Sequence, residues 1–426
     1  MKAFASSFAS IVGEENAVSW ENIELSRQEL ILEAMMPGIV PSCFVIPHTT
    51  EQLAQAIALA HRQNWRVLIC GNCSKISWGG LASGADVIIS TERINKLIEH
   101  AVGDLTVTVE AGMKFHQIQE ILAHHRQFLA LDPTTPDATI GGIVATADTG
   151  SLRQRYGSVR DQLLGVTFVR ADGEIAKAGG RVVKNVAGYD LMKLFTGSYG
   201  TLGVISQVTF RVYPMAEISG TVVLTGTASA ISQAADTLRG SALTPTQADL
   251  LSSQLVSSLG LGKGLGLIAR FQSIVESVQE QSNRLLEVGE KLGLEGKIYS
   301  VVDEADLWKK LREQIYSPVT SSVITCKIGV LPTAAVEVLS SLEIGLIHIG
   351  SGLGMLRLEG GKKVTEVREL IQNNGGFLTI LSAPIAVKQN VDVWGYTGNA
   401  LQFMRGIKEQ FDGKNILNPG RFVAGI

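Results

Sequence analysis

At 426 residues the chain is long enough for two or three domains around a large core. Hydrophobic residues make up 45% and charged residues 18%, with 37 Lys and Arg against 40 Asp and Glu, which excludes a disordered chain and leaves no basic run for nucleic acid. The four cysteines, Cys43, Cys70, Cys73 and Cys326, are too few for a disulfide scaffold and fit a reducing cytoplasm.

The start, MKAFASSFASIVGEE, reads as a short amphipathic helix rather than a signal peptide, and no stretch is apolar for long enough to span a bilayer. From Cys43 to Leu97 the pattern is strand, helix, strand, loop, strand. FVIPHT is a strand ending at Pro47. TTEQLAQAIALAHRQN is a helix capped by Thr49 or Thr50, with Leu53, Ile57 and Ala60 on one face. RVLIC is a strand running into the loop GNCSKISWGG, and ADVIIST is the next strand. LTVTVEAGM alternates with period two, and HQIQEILAHH is a helix with Ile118, Ile121 and Leu122 on one side.

The run ATIGGIVATADTG, Ala138 to Gly150, is expected to be neither an ordinary helix nor an ordinary strand. Gly141-Gly142 lets a ligand approach the main chain, while Thr139, Thr146 and Thr149 add hydroxyls, a combination suited to a phosphate and sugar-alcohol chain. The same pattern also suits tight helix-to-sheet packing. Next, LGVTFVRADGEIAKAG is a hairpin turning at Ala171-Asp172-Gly173, and GTLGVISQVTFRVYP is a long strand closed by Pro214. Pro214 marks a boundary. A strand (GTVVLTG), a helix (ASAISQAADTLRG), a strand around GLGLIARF and a helix from Val275 to Leu292 then indicate a second α+β domain. LQFMRGIKEQFDGKNILNPGRFVAGI reads as a helix, a turn and an extended end, and no internal repeat is evident.

Cys70-Gly71-Asn72-Cys73-Ser74-Lys75 follows a strand with Gly, small polar residues and Lys, a composition that can form a nest of N–H groups around a pyrophosphate. It lacks the P-loop spacing. Its C-x-x-C has neither a thioredoxin-type helix start nor a second zinc half-site, so ordinary buried loop thiols are expected. The clusters Gly260, Gly262, Gly264, Gly266 and Gly350, Gly352, Gly354 do not open a helix with G-x-G-x-x-G, which argues against a nicotinamide site. Among the histidines, His61, His116, His124 and His125 fall on helical patterns. His348, beside a Gly-rich turn, is the candidate catalytic residue, and no metal site is expected.

Taken in order, these segments resemble the FAD-binding family of vanillyl-alcohol oxidase or PCMH type. GNCSK resembles its first pyrophosphate loop, DPTTPDATIGGIVATADTG its second FAD loop, GGRVVKNVAGYDLMKLFTGSYGTLGVISQVTFRVYP its third segment and ILNPGRF its C-terminal return. KNVAGYDLMKLFTGSYGTLG with ILNPGRF is most similar to the E-type, FAD-binding subunit of glycolate oxidase. The resemblance implies an α+β architecture: an N-terminal helical segment over 1–36, an FAD-binding domain of two α+β subdomains over 37–217, an α+β cap over 218–400, and a returning tail over 401–426. It implies non-covalent FAD, because Ser74 stands where some relatives carry a flavin-linked histidine.

By the same resemblance, the pyrophosphate lies on backbone N–H groups of Gly71, Asn72, Cys73, Ser74 and Lys75 and of Thr139 to Gly142, including Gly141, with Pro133 in the same loop. Thr146 and Gly150 lie near the ribityl chain or the flavin. Gly203, Val204 and Ile205 hold the adenine or ribose side, and Asn418 or Arg421 reaches back toward the flavin.

Two departures stand out. Cys73 occupies a position where relatives usually have glycine, so a tighter or altered loop is expected. The catalytic D-type relatives carry H-x-G-x-G-x-x-H for a metal that holds the 2-hydroxy acid, and a later Glu-His pair. Here His348-Ile-Gly350-Ser-Gly352-Leu-Gly354 ends at Met355, and Gly375-Gly376 leads to Leu381 and Ser382, which cannot supply hard ligands or a base. The resemblance therefore implies an FAD-binding subunit of a glycolate oxidase complex, with a D-type flavoprotein and an iron–sulfur subunit as partners and glycolate or D-lactate as substrate. The chain would be cytoplasmic, meeting a membrane's inner face only through partners. The alternatives are a stand-alone FAD dehydrogenase of another alcohol or hydroxy acid, and a degenerate docking subunit.

Overall fold

The computed structural model describes residues 2–180, 188–316 and 323–426. Part of the third resembling segment, residues 181–187 (RVVKNVA), lies outside them. The chain divides into two compact units, one of residues 1–149, 158–215 and 396–426, the other of residues 150–157 and 216–395. The sequence reading runs the first domain unbroken from 37 to 217. The structure instead assigns residues 150–157 to the second unit, where the short helix Arg153–Tyr156 packs on the strand Gln247–Leu251.

Among the described residues the first unit holds a four-stranded, a five-stranded and a two-stranded sheet. The strands Cys43–Val45, Val87–Ser90 and Val67–Cys70 run parallel, with Ala17–Ser19 added antiparallel at the edge. Their apolar runs are buried, as parallel strands require. The helix Thr50–Gln63 starts on Thr49, whose side chain accepts from Gln52 N, and ends on the left-handed Asn64. Its Leu53, Ile57 and Ala60 join Val45, Val67 and Ile89 in one core, which Val169 and Val204 of the second sheet also enter.

That second sheet is antiparallel, in the order Leu97–Ala101, Thr106–Glu110, Val204–Arg211, Leu163–Val169, Ile175–Gly179. The strand expected to run to Pro214 stops at Arg211. Tyr213–Pro214 pairs separately with Gln127–Phe128, since proline cannot donate to the main ladder. The run around Gly141 needs the larger correction. Ile140–Thr146 is an α-helix, packed on the strand Val204–Arg211. The close fit outweighs the glycines' poor helix propensity: Gly141 N donates to Ala111 O at 2.8 Å, and a Cβ on Gly141 would sit 2.7 Å from Ala111 Cβ.

Among the described residues the strands of the second unit form one antiparallel sheet of eight. Its element order repeats. Ile218–Gly226, Ala228–Gly240, Gln247–Leu251, Leu265–Ser273, Val275–Lys291 and Glu295–Ser300 form strand, helix, strand, strand, helix, strand, with the short helix Ser253–Ser258 between the second and third strands. Val323–Gly329, Ala335–Ser340, Ile344–His348, Leu353–Glu359, Gly361–Asn373 and Phe377–Ser382 form the same series without that extra helix. The second strands of the two halves pair at the sheet's centre, with Asp249 opposite His348 and Leu250 opposite Ile347. An internal repeat of topology therefore exists where the sequence shows none, because the halves share element order and burial rather than residues.

Candidate cofactor cleft and the buried histidine

In the first unit, the ends of the parallel strands and the helix Ile140–Thr146 line a cleft with about 740 Å³ of empty space, the open solvent at its mouth included. One wall is Gly71, Asn72, Cys73, Ser74 and Lys75. A second carries Thr139, Gly141, Gly142 and Thr146. Gly203, Val204 and Ile205 form a third, and Asn418 of the tail closes the set. Pro133 and Gly150 are buried and do not line the cleft, and Gly150 belongs to the second unit.

The strand Val67–Cys70 delivers its chain into the first wall. Gly71 is required there because a Cβ would lie 2.2 Å from Thr139 Oγ1. Asn72 Nδ2 donates to Asp137 O at 2.6 Å, joining this loop to the second wall. Cys73 has φ +64°, the left-handed region glycine favours, so the loop keeps the glycine conformation and the cysteine carries its strain, about 1–2 kcal/mol. Among the described residues, no backbone carbonyl is paired with the N–H groups of Asn72, Cys73, Ser74 or Lys75. Successive amides around a left-handed residue make an anion nest. Cys73→Gly is expected to keep or raise flavin occupancy and to change stability by no more than about 1 kcal/mol, since relief of strain offsets greater freedom in the unfolded chain. A heat-release flavin assay and a thermal melt check it, and a clear loss of occupancy would refute it.

The cleft has two charged side chains in its lining, Lys75 and Arg421. Lys75 pairs with Asp148 at 2.9 Å, and burial lowers its pKa while Asp148 works against that fall. Arg421 donates from one terminal nitrogen to Ala34 O and Gly80 O, and from the other to Ile76 O and Trp78 O. Burial lowers its pKa to about 10, with Tyr199 opposing. Its fork thus braces the loop instead of facing the cleft as an open phosphate clamp. Asn418, itself at φ +45°, accepts from Ile69 N at 2.7 Å and donates to Tyr199 O at 2.6 Å. All four cysteines are buried free thiols, and burial pushes Cys43 and Cys326 up to about 12. For Cys70, a hydrogen bond with Cys73 is the main cause of a raised pKa, followed by burial.

In the second unit His348 ends the strand Ile344–His348, buried. Its Nδ1 is 2.5 Å from Asp249 Oδ1 and 3.4 Å from Ser151 Oγ, and Ser151 Oγ donates to the other Asp249 oxygen. A carboxylate can only accept, so Nδ1 carries a proton toward Asp249. Met355 is buried in the next strand, opposite Leu346 and Lys327. Leu381 is buried too, and Ser382 lies at the end of an edge strand. Among the described residues no three His, Cys, Asp or Glu side chains form a metal-holding group. Asp148, Asp249 and Ser151 are absent from the sequence-derived candidates. Asp148 lies within the glycine- and threonine-rich run, but nothing local marks Asp249.

Residues 41–179 match the family model described as FAD binding domain. A mitochondrial D-lactate dehydrogenase (cytochrome) of Arabidopsis thaliana is 27% identical over 65% of this chain, and this chain spans half of that relative's length. The glycolate oxidase subunit GlcD of Bacillus subtilis (strain 168) is 22% identical, over 90% of this chain and 89% of that protein. Among solved structures, p-cresol methylhydroxylase with substrate bound superposes with a TM-score of 0.78 at 16% identity, over 99% of this chain and 96% of that one, a likeness of fold.

Proposed function

We propose that this chain, whose residues 41–179 match an FAD binding domain, is an FAD-dependent oxidoreductase of 2-hydroxy acids of the PCMH-type family that works as the FAD-binding subunit of a glycolate oxidase complex. The observation that carries the reading is the cleft of the first unit, where Asn72 to Lys75, whose amides pair with no backbone carbonyl among the described residues, line the space with Thr139, Gly142 and Thr146.

The residues present fit a dinucleotide diphosphate. Gly71 and Gly200 leave room where a Cβ would collide, with Thr139 Oγ1 at 2.2 Å and with Asn418 Nδ2 at 2.5 Å respectively. The amide nest supplies donors without a competing free charge. Thr146 Oγ1 donates to Gly142 O at 2.7 Å, which leaves its lone pairs for a sugar hydroxyl. Bound there, FAD would supply the acceptor for the two electrons released when the C2 carbinol of glycolate or D-lactate becomes a carbonyl. Ser74 in the loop supports non-covalent binding.

Substrate activation in a different subunit is supported by Met355, Leu381 and Ser382 at the positions of the expected ligands and base, and by the engagement of His348 Nδ1 with Asp249. The proposed partners are a D-type flavoprotein and an iron–sulfur subunit. No described helix is long and apolar enough to cross a membrane, and on this reading membrane contact comes through those partners. A stand-alone dehydrogenase is the second reading, favoured by relatives named D-lactate dehydrogenase.

One anaerobic titration separates the readings. The isolated chain is expected to carry releasable flavin that dithionite bleaches and that neither glycolate nor D-lactate bleaches. Bleaching by either acid without partners would establish the stand-alone reading, and a protein that takes up no flavin would refute both.

A further inference from the structure

Lys75, in the wall of the cleft, pairs with Asp148, and the amide nest uses neither charge. Lys75 Nζ is 2.9 Å from Asp148 Oδ2, with both side chains 4% exposed. The same Oδ2 accepts from Thr134 N and from Thr134 Oγ1, each at 3.0 Å. Asp148 N donates to Ile143 O at 3.1 Å, which anchors the residue to the end of the helix Ile140–Thr146. Asp148 thus ties together, through its carboxylate, the loops of Lys75 and Thr134 and, through its backbone amide, the helix carrying Gly142 and Thr146. Two of these segments line the cleft. The Trp78 ring lies 5.6 Å from Lys75 Nζ, and the Tyr199 phenol is the other titratable group whose charge Asp148 influences.

A lysine in a phosphate cleft can act in two ways. It can place its ammonium on a phosphate oxygen, or it can hold the loop whose amides do so. Here the ammonium is already neutralised at contact distance by a buried carboxylate, so toward an anion in the cleft the pair presents a dipole rather than a unit charge. A buried pair of this kind is retained only with good geometry and further hydrogen bonds, and the two Thr134 donors supply them. We propose that Asp148 is a positioning residue of the cofactor cleft. It holds the Asn72–Lys75 amide nest in place through Lys75, and the diphosphate rests on those amides rather than on the Lys75 ammonium. The inference rests on the FAD reading of the cleft.

The test is titration of FAD into flavin-free protein, followed by flavin fluorescence at several salt concentrations. Far-ultraviolet circular dichroism and the melting temperature of each flavin-free variant check folding. Lys75→Met cuts the link between the amide nest and Asp148, and is expected to weaken FAD on the order of tenfold or more. Lys75→Met with Asp148→Asn lacks both the charges and the tether, and is expected to stay about as weak as Lys75→Met while keeping the parent's salt dependence. Thr134→Val leaves the Lys75 charge untouched and is expected to weaken FAD about threefold or more.

A double variant that binds within about threefold of the parent would show that the nest needs no tether, and one with a shallower salt dependence than the parent would place the ammonium on the phosphate; either result overturns the inference. If Lys75→Met fails to fold, Thr134→Val decides alone, and unchanged affinity there overturns it. A parent protein that takes up no FAD refutes the cleft reading itself, and the inference with it, an outcome distinct from any pattern among the variants.

Discussion

Gly71→Ala is expected to lower FAD affinity by about a hundredfold or more while leaving the first unit folded. The new Cβ would lie 2.2 Å from Thr139 Oγ1, 2.9 Å from Thr139 Cγ2 and 3.1 Å from Thr139 Cβ. Thr139 cannot step aside. It is buried and β-branched, its backbone bridges to Lys114, and it precedes the helix Ile140–Thr146. The Gly71 loop is the part free to move, and overpacking of this kind costs roughly 1–3 kcal/mol. A shift of about 1 Å in the loop carries the Asn72–Lys75 amides out of register with a diphosphate, and positional errors of that size cost on the order of a hundredfold. The flavin-to-protein ratio of the purified variant measures the effect. Adding Thr139→Ala removes the obstructing Oγ1 and Cγ2 and is expected to restore part of the uptake. Full flavin content in Gly71→Ala alone would show that the loop is not the cofactor's seat.

The residues of the cleft were legible in the sequence because a backbone nest is a local object. Five consecutive residues after a strand, or a Gly-Gly pair in a threonine-rich run, carry most of their chemistry in their own main chain. The helix Ile140–Thr146 was not legible for a related reason: seven residues with two glycines have no helical propensity to detect, and the contact with Ala111 that holds them lies outside the run. The two carboxylates escaped notice because an isolated Asp in sequence reads as solvated. Asp148 meets Lys75 from 73 residues away and Asp249 meets His348 from 99, so only the fold reveals either pair. The repeated halves of the second unit were hidden similarly. The strand Gln247–Leu251 is buried at every position, so it lacks the alternation that would announce an antiparallel strand.

Asp412→Ala is expected to destabilise the first unit by about 3–5 kcal/mol, a large part of the roughly 5–15 kcal/mol typical of a folded domain. Asp412 closes the helix Leu401–Asp412, and its side chain is fully buried. One carboxylate oxygen accepts from Lys408 Nζ and from Leu417 N, both at 2.7 Å, and the other accepts from Ile416 N at 3.1 Å. Lys408 Nζ also donates to Thr201 O and Leu417 O at 2.9 Å. Alanine would strand a buried ammonium and two buried amides at once. The consequence reaches the cleft, because Leu417 precedes Asn418, which holds Ile69 N and Tyr199 O. Asn in place of Asp keeps one acceptor and is expected to cost less. The pH dependence follows from the lysine. Burial already lowers the Lys408 pKa, with Asp412 resisting the fall, so losing the carboxylate lowers it further. The unfolded chain then binds the proton more tightly than the folded one, and folding stability rises with pH through the interval below the ordinary lysine value. The deficit of Asp412→Ala is therefore expected to shrink from neutral to alkaline pH in paired urea melts. A deficit under about 1 kcal/mol, or one that does not change with pH, would mean that this cluster does not hold the tail against the cleft.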